Sequence, residues 1–357
     1  MKSVLVAPLD WGLGHASRCI PIIHALLKKG CDVIIAGNGR SLELLKLEFP
    51  HLQFETLPAY DPKYPSRGSM VWKMLCQIPK FWNVIRREHQ VIEQLVNKHH
   101  VDIVIADNRY GCWSTKALSV FITHQSNILM PKRFGWLSAL VRRQNEALIK
   151  KFSYCWIPDF PGQHSLAGAL ADVEEVKRQM PVRHLGTLSR FSRSRPSPKK
   201  YDLLCILSGP EPQRSMLEEI LIAQLKPLSL VVAVVRGVPS REGKTKIAVE
   251  GDVFDMLNTG QLKQLIDHSE IVLARCGFST VMDLASLRKR AIFIPTPGQT
   301  EQEYLAARLH ERSIAYRATQ KAFDLKTALV EARTFNGFEE LPEESTLLDE
   351  ALMEVLR

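Results

Sequence analysis

The sequence predicts an α/β protein made of two Rossmann-like domains with parallel sheets, on three observations. The 357 residues exceed one ordinary core and suit two domains of about 150–200 residues each. Short apolar runs alternate with helical segments in both halves, which is typical of βαβ units. Residues 190–200, RFSRSRPSPKK, are rich in Pro, Ser and basic side chains and lack periodicity. We therefore predict domains at 1–189 and 201–340 facing across a cleft, a linker at 190–200, and a C-terminal segment, 341–357, whose amphipathic helix packs back on the first domain.

The elements are read from the apolar runs in order. In the first half we predict strands at 3–7, 31–36, 102–106 and 120–123, and a helix at 18–29 that ends at Gly30. In the second half we predict strands at 202–207, 230–235, 271–274, 291–295 and 314–317, with helices between them. The last helix is predicted at 343–357.

Composition bounds the class of protein. A hydrophobic content of 45% with 24% charged residues is typical of a folded globular chain. The net charge of +9 favours anionic partners, which include nucleic acid, anionic lipid and phosphorylated small molecules. Nucleic acid is disfavoured because zinc-finger spacing and aromatic RNA-binding signatures are missing from the sequence. Seven scattered cysteines without a Cys-x-x-Cys pair indicate reduced thiols, and with no signal peptide or spanning apolar stretch we expect a cytoplasmic protein.

A loop with candidate catalytic groups follows the first predicted strand. It reads Asp10-Trp-Gly-Leu-Gly-His15, and Gly12 and Gly14 allow a tight turn and close backbone approach to a ligand. The following helix offers its amide groups and positive dipole end to an anion. We predict His15 as general base because an imidazole titrates near neutral pH, with Asp10 and Asp107 as rivals. A structural histidine in a glycine-containing turn is the alternative.

The stretch Arg275-Cys-Gly-Phe-Ser-Thr-Val-Met-Asp283 runs from a strand through a turn into a helix. Gly277 lets the backbone close on a diphosphate, while Ser279 and Thr280 can cap the helix and donate hydroxyls. Asp283 lies one turn further along and can accept from a ribose diol. Plain helix capping with a solvated Asp283 is the alternative.

Two more loops end strands of the second half. In 296–303, Gln299, Gln302 and Glu303 are predicted to contact sugar hydroxyls, and a capping box of Thr300 with Glu303 is the alternative. In 207–214, Ser208 and Gly209 suit phosphate approach, and Arg214 could add charge. Two prolines in that loop each remove an amide donor, which argues against a full phosphate nest.

Acceptor-side residues are predicted after two strands of the first domain, at the same edge as His15. They are Asp107, Asn108, Arg109, Tyr110, His124 and Gln125. For His124, a satisfied core histidine is the alternative.

These loops together resemble GT-B nucleotide-sugar glycosyltransferases, and most closely family 28, which includes the enzyme that adds N-acetylglucosamine to the lipid-linked peptidoglycan precursor. The resemblance covers the whole chain in layout and is specific in 12–18 and 275–307. It matches His15 to the family's Gly-Gly-His loop, and residues 275–283 to the diphosphate- and ribose-binding motif, with Asp283 replacing Glu. The family's Gln-Gln pair falls on Gln302 and Glu303, and its linker-proximal basic residue on Arg190. The family's Gly-Gly-Ser-Gln-Gly loop differs here, reading Leu-Ser-Gly-Pro-Glu-Pro-Gln.

The loop sequences and the resemblance together predict a donor site formed by one set of residues: Gly14, Arg190, Ser208, Gly209, Arg275, Gly277, Phe278, Ser279, Thr280, Asp283, Gln299, Gln302 and Glu303. The resemblance implies an inverting bacterial hexosyltransferase that uses a UDP-sugar and a lipid-linked or glycan acceptor other than the peptidoglycan precursor. No cofactor and no metal are expected, since an Asp-x-Asp motif is missing from the sequence. The alternatives are a nucleotide-sugar hydrolase or epimerase on the same fold, and a non-enzymatic sensor.

Contact with an anionic membrane surface is a separate hypothesis. Residues 65–87 and 130–151 combine Trp, Phe, Met and Leu with Lys and Arg, which suits a peripheral protein on the inner face of the cell membrane. Ordinary amphipathic helices of a soluble domain are the alternative.

Overall fold

The protein, described by a computed structural model over residues 1–62, 76–127, 135–136, 138–193, 197–238, 250–342 and 346–357, divides into two compact units. Of these residues, those up to Arg190 form the first unit together with Pro342–Arg357, and Phe191–Leu341 form the second.

The first unit is a seven-stranded parallel sheet with helices. Its strands are β1 (Ser3–Pro8), β2 (Asp32–Gly37), β3 (Gln53–Thr56), β4 (Ile103–Asp107), β5 (Leu118–Ile122), β6 (Tyr154–Ile157) and β7 (Val182–His184), in the order β3-β2-β1-β4-β5-β6-β7. Its helices are α1 (Leu13–Lys28), α2 (Gly39–Glu48), α3 (Ile78–His99), α4 (Ser138–Ile149), α5 (Glu174–Lys177) and the C-terminal helix Leu347–Leu356, which contacts β7 and α1. Every residue of β4 is buried, as expected for a strand covered on both faces.

The second unit is a six-stranded parallel sheet in the order β10-β9-β8-β11-β12-β13. Its strands are β8 (Tyr201–Ile206), β9 (Val232–Val235), β10 (Gly251–Phe254), β11 (Ser269–Ala274), β12 (Arg290–Phe293) and β13 (Tyr316–Arg317). Its helices are α6 (Gln213–Leu225), α7 (Thr259–Asp267), α8 (Phe278–Ser286), α9 (Thr300–Glu311) and α10 (Leu325–Ala332). The C-terminal helix of the first unit, Leu347–Leu356, is numbered α11. Leu203, Leu273 and Ile292 from three adjacent strands centre its core.

Glycines determine both ends of α1. Gly12 precedes the helix with a φ of 101°, a backbone conformation that favours glycine. At the other end Gly30 has a φ of 76°, and its N–H donates to the Leu27 carbonyl while Cys31 N–H donates to Leu26. This pair of bonds is a Schellman motif, and it ends the helix where the sequence predicted.

The predicted fold class is confirmed, and the differences lie at strand ends and sheet edges. The predicted strand 314–317 reduces to β13, and 230–235 to β9. Four strands were missed, namely β3, β6, β7 and β10. Three of them are short strands at or next to a sheet edge with half-exposed side chains, so their apolar pattern is weak.

No helix in the described part of the chain is both long and apolar enough to cross a membrane. Much of the predicted membrane-contacting surface, residues 65–75, 130–134 and 137, lies outside the described residues. In the remainder of those two stretches, Trp136 is 78% exposed and Leu140 is 55% exposed.

Candidate functional site

A buried charged cluster lies at the carboxyl edge of the first sheet. Asp107 ends β4, and His15 lies in the first turn of α1, which begins directly after the loop that follows β1. The Nδ1 of His15 lies 3.2 Å from Oδ2 of Asp107. Because β1 and β4 are adjacent parallel strands, their carboxyl ends bring these two residues together.

Arg18 completes the cluster and was missed from the sequence. It is 2% exposed, and its guanidinium forms two bonds to the Asp107 carboxylate, one from Nε to Oδ2 at 2.6 Å and one from Nη2 to Oδ1. Its Nη1 lies 3.0 Å from Nδ1 of His124, and its Nη2 lies 2.7 Å from Nδ1 of His15. The available signal was spacing, since an arginine three residues after His15 shares its helix face.

The cluster shifts the titration of its members. Burial by itself would raise the pKa of Asp107, but the charges of Arg18 and His15 hold that pKa well below its usual range. Burial lowers the pKa of His15, and the positive charge of Arg18 lowers it further against the attraction of Asp107. His15 is therefore neutral near pH 7 and, with 16% of its side chain exposed, can accept a proton from a ligand.

The tautomer of His15 depends on two competing neighbours. A proton on Nδ1 suits the Asp107 carboxylate and leaves Nε2 as a base. A bare Nδ1 suits the Arg18 guanidinium, which can only donate, and puts the proton on Nε2. Asp107 and Arg18 together therefore decide whether His15 acts as a base.

Arg109, predicted on the acceptor side, instead has a structural role. It is fully buried, its Nη1 donates to Oε1 of Glu88 at 2.6 Å, and its Nε donates to the Pro8 carbonyl at 2.7 Å. The other oxygen of Glu88 accepts from Gly111 N–H and from the Tyr60 hydroxyl. This network ties β1 and the loop after β4 to α3 through Nε and Nη1 of Arg109, while the buried Nη2 has no hydrogen-bond partner within the described residues.

Asp10, the predicted rival base, belongs to the edge of the same network. Its Oδ2 accepts from Tyr60 N–H at 3.0 Å, and its Oδ1 lies 3.8 Å from Nη2 of Arg109. This geometry gives Asp10 a role in holding the loop around Tyr60, and its catalytic role stays a prediction.

The remaining acceptor-side residues follow the carboxyl ends of β4 and β5. Asn108 takes a left-handed φ of 52° directly after Asp107, and Tyr110 donates its hydroxyl to Asn145 at 2.7 Å. His124 is 5% exposed, and Gln125 N–H donates to the Thr123 hydroxyl at 3.0 Å. His124 is therefore a buried partner of Arg18 rather than an exposed ligand contact.

Three loops of the second unit meet at the carboxyl edge of its sheet, because β8, β11 and β12 are adjacent and parallel. Gly277 is the N-cap of α8 and, having no side chain, does not itself cap the helix, while Ser279 and Thr280 lie in the first turn. The first amides of an α-helix have no acceptor within the helix, which leaves this end suited to an anion. Phe278 is buried, and Asp283 lies half-buried one turn into the helix.

Arg275 supports these loops from beneath. It is 1% exposed, its Nη1 donates to the carbonyls of Ile294 and Pro295 at 3.1 Å, and its Nη2 donates to the Gln213 carbonyl at 2.7 Å. Burial lowers its pKa to about 10. Most of its donors therefore join the three loops instead of facing a donor phosphate, as the sequence had suggested.

Two buried donors next to Gly209 have no hydrogen-bond partner within the described residues. They are Nε of Arg275 and Oγ1 of Thr296, and both residues are 1% exposed. They lie 3.9 Å and 3.5 Å from the point where a side chain would begin at Gly209, whose φ is 105°. An anion oxygen beside Gly209 could reach both donors. Thr296 was not singled out in the sequence.

The loop after β12 is held by its own helix. Gln299 is the N-cap of α9 and Thr300 its first residue, so Thr300 does not hold the N-cap position that a capping box with Glu303 requires. Instead Gln302 Oε1 accepts from Thr296 N–H at 2.8 Å, and Glu303 Oε1 accepts from Gly298 N–H at 2.9 Å. These two bonds use Oε1 of each side chain. Nε2 of Gln302 and Oε2 of Glu303 take no part in them.

Other predicted contacts are placed as follows. Ser208 and Gly209 are exposed in the loop after β8, and Gly14 is half-buried in the first turn of α1. Arg214 is 6% exposed and bonded to Glu211 and Glu218, so its charge is neutralised. Arg190 is the last residue of the first unit, and its donor-binding role stays a prediction.

Comparison with known protein families finds a match in the second half of the chain. Residues 217–342 match the glycosyltransferase family 28 C-terminal domain. A search of curated protein sequences finds no match to the chain.

Among solved structures, the chain is similar to the glycosyltransferase SnogD from Streptomyces nogalater, at 14% identity over 100% of both chains with a TM-score of 0.67. It is similar to MurG from Acinetobacter baumannii, at 14% identity over 100% of this chain and 99% of that one, with a TM-score of 0.58. It is also similar to UGT2 of Phytolacca americana, at 14% identity over 100% of both chains with a TM-score of 0.62. The predicted resemblance is thus confirmed: residues 217–342 match the glycosyltransferase family 28 C-terminal domain, and the whole chain has the GT-B fold of the glycosyltransferase structures it resembles.

Proposed function

We propose that the protein transfers a hexose from a UDP-sugar to an acceptor hydroxyl by direct, metal-independent inversion at the anomeric carbon. The observation that carries the proposal is the pairing of a neutral, partly exposed His15 with the buried carboxylate of Asp107. This pair is the arrangement that a general base requires, namely an imidazole oriented by a carboxylate.

In this mechanism, His15 takes the proton of the attacking hydroxyl at Nε2. This step requires the tautomer of His15 that carries its proton on Nδ1, facing Asp107, whose negative charge stabilises the imidazolium that forms. Because Arg18 already neutralises Asp107, His15 stays a weak base that is unprotonated at neutral pH and gains a proton only as the acceptor attacks. The acceptor oxygen bonds to the anomeric carbon from the face opposite the leaving group.

The loops of the second unit bind the donor. The diphosphate leaves with growing negative charge, which the amide groups opening α8 stabilise. An oxygen of the same diphosphate beside Gly209 gains the unpartnered donors of Arg275 and Thr296. Asp283 accepts from the ribose, and Gln299, Gln302 and Glu303 contact the sugar. The similar UGT2 of Phytolacca americana was solved with UDP-2fluoro-glucose and pterostilbene, which supports UDP as the nucleotide.

A lipid-linked acceptor is the substrate class that best fits the first unit. Trp136 and Leu140 are exposed apolar side chains, and Arg142 and Arg143 lie next to them in sequence and are also exposed. Exposed aromatic and basic side chains together suit the surface of an anionic membrane. We therefore propose a peripheral association with the cytoplasmic face of the membrane.

The test combines ligand binding with turnover. UDP, GDP, TDP and CMP, with their sugar conjugates, are screened by thermal shift, and a ligand present at 100 times its Kd stabilises the native state by about 2.7 kcal/mol. His15→Ala is expected to lower turnover about 10²–10⁴-fold with unchanged donor binding. His24→Ala is the matched control, since His24 lies exposed on the same helix.

Three outcomes would contradict the proposal. Near-normal turnover in His15→Ala would remove His15 from catalysis. Free sugar or an isomerised donor formed without any acceptor would identify a hydrolase or an epimerase instead. If no sugar nucleotide changes the melting temperature, the donor site itself is wrong.

A further inference from the structure

A polar cavity lies at the amino ends of the strands of the second sheet, opposite the carboxyl ends where the donor loops lie. It has a volume of about 510 Å³ and is bordered by Lys199, which precedes β8, by Asp267 before β11, and by Lys289 and Arg290 at the start of β12. The donor loops follow the carboxyl ends of the same three strands. A strand of six residues spans roughly 20 Å, so the cavity is separated from those loops by the length of the sheet.

Cations dominate the lining of this cavity. Five basic side chains contribute to it, namely Arg193, Lys199, Arg288, Lys289 and Arg290. Three carboxylates also line it, and two of these are already paired with cations that do not line the cavity: Asp267 with Lys263 at 2.7 Å and Glu270 with Arg333 at 3.1 Å. The carboxylates therefore compensate only part of the positive charge.

Two of the ammonium groups converge on one backbone carbonyl oxygen. Lys289 is 9% exposed, and its Nζ donates to the Asp267 carbonyl at 3.1 Å and to the Ser269 carbonyl at 3.4 Å. The Nζ of Lys199 donates to the same Asp267 carbonyl at 2.8 Å. Burial and the neighbouring Lys199 together lower the pKa of Lys289 to about 7, against the attraction of Asp267. A bound anion would relieve this repulsion.

The end of α7 explains only part of this arrangement. Cations at the carboxyl end of a helix compensate its dipole, which accounts for one lysine near the Asp267 carbonyl. The dipole gives no reason for a second, buried ammonium at the same oxygen, nor for the arginines around an open cavity. The guanidinium of Arg288 donates to the backbone carbonyls of Glu339 and Leu341, which holds it at the cavity. The backbone of Arg288 is left-handed, with a φ of 50°.

We propose that this cavity is a binding site for the phosphate group of a small phosphorylated ligand, held by Lys289, Lys199 and Arg290. A cavity of this volume falls within the range of small-molecule sites and is larger than a bare phosphate needs. The ligand is either a soluble phosphate ester or the headgroup of an anionic phospholipid, which present the same phosphate chemistry. The site is distinct from the donor site and does not depend on the proposed transferase activity.

The test measures phosphate binding by the full chain. Inorganic phosphate and glycerol 3-phosphate are titrated by calorimetry at constant ionic strength, with chloride as the balancing anion. Lys289→Met and Arg290→Gln are each expected to weaken binding roughly tenfold to a hundredfold, the effect of losing one charge-assisted hydrogen bond. Lys226→Met is the matched control, since Lys226 is an exposed lysine of the same unit at the end of α6.

Arg290→Gln decides the outcome if Lys289→Met fails to fold, because Arg290 is exposed. Binding of glycerol 3-phosphate in solution assigns a soluble ligand. Binding only to phosphatidylcholine vesicles that contain phosphatidic acid, lost in Arg290→Gln, assigns a lipid headgroup. Binding that is equal in the wild type and in Arg290→Gln, or absent from both probes, would overturn the proposal. The UDP-induced thermal shift is expected to be unchanged in these variants, which separates this site from the donor site.

Discussion

Replacing Arg18 by Met tests the charged cluster at the end of β4 most directly. The substitution removes both bonds to Asp107 while keeping a long apolar side chain in the buried space. Asp107 is fully buried, so its carboxylate would be left with His15 and the Cys19 thiol, which lies 3.9 Å from Oδ2. Neither partner replaces a guanidinium.

The magnitude follows from this burial. Breaking a buried ion pair by removing one partner costs about 3–5 kcal/mol, because the other charge stays buried without compensation. For a unit of about 200 residues, each kcal/mol lowers the melting temperature by about 2–4 °C, so we expect a loss of roughly 6–20 °C at pH 7. The double variant Arg18→Met/Asp107→Asn removes both charges and should recover most of this loss.

The pH dependence provides the second readout. In the wild type the pKa of Asp107 is depressed, so its stabilisation is present above the unfolded pKa near 3.9 and is lost as the pH falls below it. Without Arg18, burial raises the pKa of Asp107. Protonation of Asp107 in mild acid then removes the uncompensated buried charge that destabilises the variant. The difference in melting temperature between variant and wild type should therefore narrow between pH 7 and pH 4.

Activity provides the third readout. Removing Arg18 takes away a positive charge that lowers the pKa of His15, so the acidic limb of the pH profile of kcat/KM should move to higher pH. The reasoning about the cluster is refuted if the free energy of unfolding of Arg18→Met lies within about 1 kcal/mol of the wild-type value at pH 7. It is also refuted if the loss is the same from pH 4 to pH 7.

Two further substitutions test particular contacts. Thr296→Val removes a buried hydroxyl that has no partner within the described residues, so the ligand-free protein should be as stable as the wild type or up to about 1 kcal/mol more stable. Calorimetry should show that binding of the nucleotide-sugar is weakened about tenfold. A lower melting temperature with unchanged affinity for the nucleotide-sugar would contradict the assigned phosphate contact. Gly111→Ala places a methyl group against the Ile85 carbonyl oxygen and 2.7 Å from the Glu88 carboxylate, and urea unfolding should show a loss of about 1–3 kcal/mol. The control Gly260→Ala meets only an ordinary contact in the first turn of α7 and should stabilise by up to about 1 kcal/mol, so equal effects at both glycines would refute the packing account.

The sequence was sufficient for the fold class and for locating the loops of the candidate site. Strands such as β1, β4 and β11 can be recognised in the sequence as continuous apolar runs, because both faces of a buried parallel strand are covered. Since ligands bind at the carboxyl ends of such strands, the positions of His15 and Asp107 after β1 and in β4 could also be predicted. Edge strands such as β3 and β10 could not, because exposure removes their pattern.

Only the tertiary structure decided which charged side chains face a ligand. Arg109 and Arg275 follow strands just as catalytic residues do, yet each guanidinium is turned beneath its loop to bind backbone carbonyls. Arg18 and Asp107 are 89 residues apart, and Lys199 and Lys289 precede two different strands, so no local pattern brings either pair together. The sequence by itself therefore determined the two sheets and the loops at their ends, which follow from local periodicity. The orientation of each charge depends on burial and on partners distant in the chain, and these are properties of the folded protein alone.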